Sequence, residues 1–442
     1  RTSEGRGRLL SPSFSGGGGA QRNARGSWSP GSMDLSTSRS SFTRALRDPY
    51  ALTVAVRMRP FLSNEGNKRV VVGRDGGSLT LVNPKVFKAS ADAVIATAAI
   101  VSQANMATFD WLRSFQFDRI FGATKGSRPG TAEGGGKKLL DVAGAQEKLY
   151  KELGEPIVEH ALKGNHCSFF AYGHTGSGKT YSVFGPKLED PALVLGDPPV
   201  GEGYGLAPRV CFEVLRRVKE LQARADQSNK STAGPQVKLQ YFEVYNDKIR
   251  DLLNPSVDPR VYRVREDPRS GPFVENLFTP EVKTWSHIQR LLAAGCCSRS
   301  QAETAENRSS SRGHAILTLE VSTEEGTSRV QLVDLAGSER EVNVGGEAYG
   351  GSYQGDKFGG PLRLRESAMI KKTLTNLGLI INSLSRGDNA VGLPFRESIL
   401  TWLLKEALCG RARTTMLATV SPSSEAYLET LSTLTYAERL RK

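Results

Sequence analysis

Gly173-His-Thr-Gly-Ser-Gly-Lys-Thr180 is a glycine-rich loop that directly follows a short apolar run, Cys167-Ser-Phe-Phe-Ala-Tyr172. The apolar run predicts a buried parallel strand, and the first and last glycines of the loop allow a tight turn that points backbone N–H groups inward. In such a loop Lys179 reaches the β- and γ-phosphates of a nucleotide, and the Thr180 hydroxyl ligates Mg²⁺. A chance glycine-rich turn is the alternative, and the strand before the loop and two later motifs make it minor. The stretch therefore predicts a nucleotide-binding protein.

The composition is that of a globular protein with an excess of positive charge. Of the 442 residues, 38% are hydrophobic and 24% are charged. No apolar run approaches the roughly 18–20 residues that cross a bilayer, and the N-terminus lacks the basic-then-apolar pattern of a secretory signal. The net charge of +13 favours a polyanionic partner, which is a nucleic acid, a membrane surface or an acidic protein lattice. Charge alone does not choose among them.

The cysteines predict neither a disulfide framework nor a metal site, because their number is odd and no spacing suits a metal ion. They are Cys167, Cys211, Cys296, Cys297 and Cys409. The adjacent pair Cys296-Cys297 is compatible with redox chemistry, but a reduced pair near a helix end is the favoured interpretation.

The chain divides into a tail and one large domain. Residues 1–48 are rich in Ser, Gly and Arg, which predicts a disordered tail, and residues 49–442 form the ordered part. Loops are predicted at 123–138, 186–205 and 345–360. Strands and helices alternate between these loops, which predicts an α/β fold with a central, mostly parallel twisted sheet and helices on both faces. The predicted strands are Leu52–Val56, Cys167–Tyr172, Val237–Tyr245, Ile316–Val321 and Arg329–Asp334, with a helix beginning at Lys179.

A second element suited to sensing a γ-phosphate is Val333-Asp-Leu-Ala-Gly-Ser-Glu339. Asp334 stands at the tip of a predicted buried strand, where an acidic residue holds Mg²⁺ through water. Gly337 offers a backbone N–H to the γ-phosphate with no side chain in the way. Alone, this segment is more simply an ordinary exit from a strand into a turn. Together with the glycine-rich loop it predicts a phosphate sensor.

The third element is Asn307-Arg-Ser-Ser-Ser-Arg-Gly-His314. The small hydroxyl groups of Ser310 and Ser311 suit the coordination of Mg²⁺ or the positioning of water, whereas larger side chains would block the phosphate. Arg312 supplies a fixed charge that can pair with Glu339, and such a pair would close over the γ-phosphate and open when it leaves. On its own the segment is equally well read as a Ser-rich phosphorylation loop.

Together these three elements resemble the kinesin motor domain, with switch I at Asn307–His314 and switch II at Asp334–Glu339. The resemblance covers about residues 50–442 and includes Arg57-Met-Arg-Pro60, which is similar to the family's adenine-side motif. Further matching segments are Phe117–Phe121, Phe242–Leu253, Pro394–Ser398 and Glu429–Arg439. The resemblance implies a P-loop NTPase-like motor fold that binds ATP and Mg²⁺.

The resemblance also implies roles for individual residues, with Tyr181 stacked on the base. The implied nucleotide contacts are Arg57, Pro60, Gly173, His174, Thr175, Gly176, Ser177, Gly178, Lys179, Thr180 and Tyr181. The implied metal-binding residues are Thr180, Ser311 and Asp334. The implied catalytic residues are Ser310, Ser311, Arg312, Gly337 and Glu339.

Several segments look most like the third kinesin subfamily, whose motor is N-terminal. These are Tyr262–Asp267, Gly271–Glu275 and Ser398–Lys405. The chain departs from the family pattern at Gly313, where a Ser is usual, and in the helix after switch II, which reads Ile370-Lys-Lys-Thr-Leu374. The loop Ser385–Gly392 lacks the lysine run that this subfamily often carries. Its absence predicts weak electrostatic tethering to acidic tubulin tails.

The resemblance implies a microtubule-stimulated ATPase that couples ATP hydrolysis to movement or force along microtubules, in the cytoplasm on the cytoskeleton. Two alternatives stay open: a microtubule-binding module with weak turnover, and a nucleic-acid-dependent ATPase, for which no readable nucleic-acid module is present. The basic candidates for the track surface are Arg263, Arg265, Lys371, Lys372, Arg396 and Lys405. No nucleic-acid partner and no membrane span are expected. Cargo or adaptor binding is expected through regions outside this chain, as part of a longer protein.

Overall fold

The computed structural model describes most of the chain between residues 52 and 441. The described residues are 52–60, 62, 65, 72–75, 78–85, 112–122, 142–186, 203–227, 234–268, 270–305, 312–339, 360–410 and 412–441. The predicted tail at 1–48 and the predicted loop at 123–138 lie outside them, as do most of the other two predicted loops.

The strands form one large sheet and two small ones. In chain order they are β1 (Leu52–Met58), β2 (Val72–Asp75), β3 (Ser78–Val82), β4 (Leu112–Gln116), β5 (Arg119–Phe121), β6 (Cys167–Tyr172), β7 (Gln236–Tyr245), β8 (Lys248–Asp251), β9 (Arg263–Asp267), β10 (Gly271–Glu275), β11 (His314–Thr323), β12 (Gly326–Asp334) and β13 (Arg413–Val420). The large sheet has the order β5-β1-β13-β6-β12-β11-β7-β8, and four of its seven pairings are parallel. β6 lies between β13 and β12 and is parallel to both. A mostly parallel sheet was predicted, and it is confirmed.

β6 is buried on both faces of the sheet, which explains why its sequence is an uninterrupted apolar run. Phe170 and Tyr172 face one hydrophobic core, whereas Phe169 and Ala171 face a second one. Burial of one such phenylalanine side chain contributes about 1.5–3 kcal/mol. Two cores of this kind require a layer of helices on each face of the sheet.

The helices supply those two layers. They are α1 (Val142–Leu149), α2 (Glu155–Leu162), α3 (Lys179–Val183), α4 (Leu206–Gln227), α5 (Trp285–Ala305), α6 (Gly360–Ser385), α7 (Ile399–Leu403), α8 (Lys405–Cys409) and α9 (Tyr427–Arg441), with a π-turn at Tyr150–Gly154. α2, α4 and α5 pack on the core that contains Phe169, and α6 to α9 pack on the core that contains Phe170. The predicted α/β class with helices on both faces is therefore confirmed. None of the described helices combines the length and the hydropathy that a bilayer span requires.

Several local predictions need adjustment. The helix predicted from Lys179 is only five residues long, and β7, β11 and β12 each extend beyond the predicted strands. The prediction that Cys296-Cys297 lies near a helix end is wrong, because both residues lie inside α5. All five cysteines are free thiols in the structure.

Candidate active site

The glycine-rich loop lies at the carboxyl end of β6. Gly178 has a φ of 102°, a left-handed conformation from which α3 starts at the next residue. Gly173 lies against β13, because a Cβ at this position would stand 2.7 Å from Thr419 Oγ1. Ser177 Oγ shares a 2.6 Å hydrogen bond with the same hydroxyl. The neighbouring parallel strand therefore holds the loop in place at both of these residues.

Lys179 is folded back into the loop that precedes it. Its Nζ donates to the carbonyl oxygens of Gly173 and His174, at 3.0 Å each, and 6% of the residue is exposed. Burial lowers the pKa of Lys179, and the charges of Asp334 and Glu339 oppose that shift. The ammonium group is thus held inside the loop.

Asp334, the last residue of β12, accepts two hydrogen bonds on one carboxylate oxygen. Thr180 Oγ1 donates to Oδ2 at 2.7 Å, and Arg299 Nη1 donates to the same atom at 3.0 Å. Among the described residues, no group bonds the other oxygen, Oδ1, although it is buried. A carboxylate oxygen with no partner beside a threonine hydroxyl suits Mg²⁺, which prefers hard oxygen ligands. Thr180 and Asp334 therefore fit a Mg²⁺ site, and Ser311, the third predicted ligand, lies outside the described residues.

Arg299 of α5 was not predicted from the sequence. Besides Asp334 it contacts the carbonyl oxygen of Gly313, with Nη2 at 3.3 Å, and its Nε lies 3.5 Å from Glu243 Oε1. Burial lowers the pKa of Arg299, but pairing with Asp334 and other groups more than offsets this, so its pKa lies above the ordinary value. A sequence signal did exist, because Arg299 continues the buried stripe of the helix that includes Leu292. A buried arginine needs buried acids.

The segment after β12 is tied to the glycine-rich loop. Ser338 N donates to the carbonyl of Gly173 at 3.0 Å, and Glu339 accepts from the backbone N–H of Thr175 at 2.8 Å and from its hydroxyl. Burial raises the pKa of Glu339, but the hydrogen bonds from Thr175 contribute to an opposite shift that leaves the pKa below its ordinary value. A Cβ at Gly337 would stand 2.6 Å from Glu339 Oε1. The glycine at this position therefore gives the carboxylate its room.

The predicted ion pair between Arg312 and Glu339 is not formed in this structure, although both residues are described. The Glu339 carboxylate bonds Thr175 instead, because that residue offers a backbone N–H and a hydroxyl at once. Ser310, which was predicted to coordinate Mg²⁺ or position water, lies outside the described residues. The two segments are joined by His314, whose Nδ1 accepts from Ala336 N at 3.0 Å. Burial lowers the pKa of His314 to about 3, so the ring is neutral and able to accept.

The predicted adenine-side residues Arg57 and Tyr181 lie together. The Arg57 Nη1 donates to Gln146 Oε1 at 2.8 Å and to Ser182 Oγ at 2.9 Å, and its Cζ lies 5.2 Å from the centre of the Tyr181 ring. Burial lowers the pKa of Arg57 to about 10. The guanidinium group therefore fixes the Tyr181 ring through a cation–π contact. Pro60, three residues after Arg57 in the sequence, is exposed.

Arg59 is a second residue that was not predicted, and it contacts the glycine-rich loop directly. Its Nε donates to the carbonyl oxygen of Gly176 at 2.8 Å, and its guanidinium makes two 2.7 Å bonds to Glu65. On the same loop, His174 Nδ1 lies 2.7 Å from Thr175 O, and burial lowers the pKa of His174. The predicted residues of the loop therefore lie in one continuous described segment. Arg59, which is outside the loop, is hydrogen-bonded to that segment.

Comparisons with known proteins cover most of the chain. A family model described as "Kinesin motor domain" matches residues 57–442. Kinesin-related protein 1 of Dictyostelium discoideum is 35% identical over 405 residues, which are 88% of this chain and 16% of that protein. The Homo sapiens protein "Kinesin-like protein KIF1B" is 33% identical over 416 residues, covering 89% and 19%. "Kinesin-like protein KIF13A" of Homo sapiens is 38% identical over 313 residues, covering 67% and 15%. The chain therefore spans less than a fifth of each of these relatives.

Solved structures with the same fold are also similar in sequence. A fast kinesin, described with implications for its ATPase mechanism and its interactions with microtubules, aligns with a TM-score of 0.64 at 28% identity and covers 89% of this chain and 92% of that one. A KIF14 dimer in a two-heads-bound state, with AMP-PNP and in complex with a microtubule, aligns with a TM-score of 0.62 at 33% identity. That alignment covers 88% of this chain and 93% of the other.

Proposed function

This chain belongs to the kinesin motor family, and from that premise we propose that it is a microtubule-stimulated ATPase that couples ATP hydrolysis to movement or force along microtubules. The observation that most directly supports the proposal is the 2.7 Å hydrogen bond from Thr180 Oγ1 to Asp334 Oδ2. It joins the glycine-rich loop to the end of β12 at a buried carboxylate. Lys179 and Glu339 lie beside it, so phosphate-binding and phosphate-sensing groups share one edge of the sheet.

Nucleotide binding is assigned to the loop and to the Arg57–Tyr181 pair. Lys179 neutralises the β- and γ-phosphates, and the backbone N–H groups of Gly173 to Thr180 surround them. Tyr181 stacks on the base, with Arg57 behind the ring and Pro60 at the exposed side of the site. The loop would position the nucleotide without rearranging, because the Arg59–Gly176 and Ser177–Thr419 hydrogen bonds already hold the loop.

Thr180 and Asp334, together with Ser311, are the residues that would hold Mg²⁺. When bound, the ion neutralises charge on the β- and γ-phosphate oxygens. Asp334 would hold the ion through water, and in the structure its Oδ2 is bonded to Arg299 while its Oδ1 has no partner among the described residues. Arg299 therefore fixes the carboxylate through Oδ2.

Hydrolysis is assigned to closure of the two switch segments. We place Glu339 on Thr175 before closure and on Arg312 after it, so that the segment exchanges one partner for another. Ser310 and backbone groups position the attacking water, and the Gly337 N–H faces the γ-phosphate. Positioning and electrostatic stabilisation supply the rate enhancement, because this chemistry needs no covalent intermediate on the protein.

The track surface is assigned to basic residues on β9, α6 and the segment from Phe395 to α8. Lys371 and Lys372 are exposed on α6. Three other candidates already have acidic partners, since Arg265 pairs with Glu275 at 3.1 Å, and Arg396 and Lys405 share Glu266. The candidate set remains Arg263, Arg265, Lys371, Lys372, Arg396 and Lys405, acting as a group. Cargo or adaptor binding through regions outside this chain, and a cytoplasmic location on the cytoskeleton, belong to the same proposal.

The test is ATP turnover during a microtubule titration, followed by gliding of polarity-marked microtubules over the immobilised protein. The proposal expects turnover to rise with microtubule concentration to a plateau, and filaments to move in one direction. Binding without stimulation would favour a microtubule-binding module, and stimulation by nucleic acid in place of microtubules would favour the other alternative.

A further inference from the structure

Gly313, the residue directly before β11, lies against the side chain of Glu243. A Cβ added at Gly313 would stand 2.6 Å from Glu243 Cδ and 3.0 Å from its Cγ, with Oε1 nearer still. Glu243 therefore fills the volume that a side chain at position 313 would need. Gly313 is not among the glycines with positive φ in the described residues. A glycine is consequently required at position 313 because of the limited space and not because of the backbone conformation.

Glu243 belongs to a row of residues that runs across the sheet. On β7 it is paired with Ala315 of β11, which is paired in turn with Asp334 of β12. The side chains of paired residues point to the same face of a sheet. The two carboxylates therefore stand on either side of a single methyl group, and a gap is left above Ala315.

The guanidinium of Arg299 fills that gap. It lies 3.5 Å from Glu243 Oε1 through Nε, bonds Asp334 Oδ2 at 3.0 Å through Nη1, and bonds the carbonyl of Gly313 at 3.3 Å through Nη2. Glu243 and Arg299 are 5% and 6% exposed, and Asp334 is 1% exposed. Buried charges of this kind depend on complete pairing. Gly313 touches the group twice, with its carbonyl on Arg299 and its Cα against Glu243.

We propose that Gly313 and Glu243 form a steric interlock that makes Glu243 a positioning residue for Asp334. The missing side chain at 313 lets the Glu243 carboxylate reach Arg299, and Glu243 then shares the guanidinium charge with Asp334. Without Glu243, which also lies 3.9 Å from Arg250 Nη1 through Oε2, more of the guanidinium charge of Arg299 would fall on Asp334 and compete with a cation for that carboxylate. The link to Mg²⁺ rests on the proposed function, whereas the interlock itself does not.

The interlock is tested by a double-mutant cycle in thermal unfolding without nucleotide, at one heating rate. Gly313→Ala should lower Tm by about 1–4 °C in the parent, because the methyl group is forced into Glu243. In the Glu243→Ala background the same change should be neutral or slightly stabilising, because the space is then open and alanine restricts the unfolded chain. Equal effects in the two backgrounds would overturn the interlock. If Gly313→Ala alone fails to fold, recovery of folding in the double variant supports it, and no recovery refutes it.

The positioning role is tested by release of fluorescently labelled ADP across a titration of Mg²⁺. Glu243→Gln should raise the Mg²⁺ concentration that half-maximally slows release by about tenfold, as expected when a partner of a metal-binding residue is lost. Glu320→Gln is the matched control, because Glu320 lies in the same sheet and forms an ion pair outside the site. Its Oε1 lies 4.0 Å from Arg329 Nη2. A parent that binds no labelled ADP would contradict the proposed function. A parent that holds ADP and a Glu243→Gln variant with the same Mg²⁺ dependence would contradict the positioning role.

Discussion

The edge of the sheet that carries the glycine-rich loop and the surface formed by β9 and the segment from α6 to α8 use charge in opposite ways. At the edge, Lys179, Arg299 and Asp334 are buried, and each has partners at fixed positions. On the surface, the Arg396 side chain is 72% exposed and shares Glu266 with Lys405. A buried charge loses its partner only at a high cost, whereas exposed pairs contribute little and are screened by salt. The first region should therefore respond to single substitutions, and the second only to several charges together.

The largest effect is expected at Lys179. Lys179→Ala should lower ATP turnover by at least about 10²-fold, because no other residue of the loop can neutralise the β- and γ-phosphates. The measurement is steady-state turnover at saturating microtubules. Lys238→Ala is the matched control, because Lys238 is an exposed lysine on β7 of the same sheet. Turnover within twofold of the parent for Lys179→Ala would remove the assigned role and, with it, the contrast between buried and exposed charge.

The next effect concerns Arg312 and Glu339. Arg312→Ala and Glu339→Ala should each retain ATP binding and lose microtubule-stimulated hydrolysis by about 10²-fold, and the double variant should be little worse than either single one. Nucleotide affinity and stimulated turnover are measured on all four proteins. Losses that simply multiply in the double variant would mean that the two residues do not act as a pair. The present bond of Glu339 to Thr175 would then be its only assigned role.

The contrast between the regions also explains what could be predicted from the sequence. The bounds of β6 and the positions of Lys179 and Thr180 follow from local pattern, because a strand buried on both faces and a glycine-rich turn are each written in consecutive residues. Arg299 and Glu243 were missed, because they reach Asp334 only through the packing of α5 and the register of β7 with β11. The helical pattern indicates that Arg299 is buried, but it does not identify the partners of Arg299 or the register of the strands.

The predicted pair of Arg312 with Glu339 shows a second limit. Both residues were identified, but the choice between Arg312 and Thr175 as the partner of Glu339 is a choice between two conformations. A sequence pattern names the groups that can meet and does not select which conformation is populated. The roles of Ser310 and Ser311 stay predictions for the same part of the site.

A smaller effect is expected from protonation of the buried edge. The pKa of His314 is lowered to about 3 by burial, below the ordinary value of about 6.5 that applies in the unfolded chain. Between these values the unfolded state binds a proton that the folded state does not, so His314 makes stability fall as pH falls below about 6.5. The expected slope from this residue is about 1.4 kcal/mol per pH unit.

The pH dependence is measured as the free energy of unfolding by urea at pH 7.5, 6.5 and 5.5. His314→Gln should be less stable at neutral pH and should show a shallower fall in acid. His287→Gln is the control, because His287 is only half-buried and lies on the same helix as Arg299. A slope in His314→Gln equal to that of the parent would mean that other groups carry the acid sensitivity.

The smallest effect is expected at the loop after α6, where the exposed residues carry one positive and one negative charge, Arg386 and Asp388. Gly387 has a φ of 83° and Gly392 a φ of 111°, so both are best left unchanged. Replacing Asp388-Asn-Ala-Val391 with four lysines should lower the microtubule concentration for half-maximal ATPase stimulation by about threefold to tenfold at low salt, with little change in maximal turnover. The reason is that acidic tubulin tails would attract the loop even between strongly bound states.

The dependence on ionic strength tests whether this loop holds the track by electrostatic attraction. Attraction between exposed charges is screened over about 8 Å at physiological salt, so the gain from the four lysines should shrink as salt rises. The parent loop has no net charge, and the weakly bound ADP state of the parent should detach readily at physiological salt. Replacing the same four residues with glutamines is the matched control, because it removes Asp388 and Val391 without adding positive charge. A half-saturating concentration that is unchanged by lysines at low salt would mean that other surfaces hold the track, and that the missing lysine run has no consequence here.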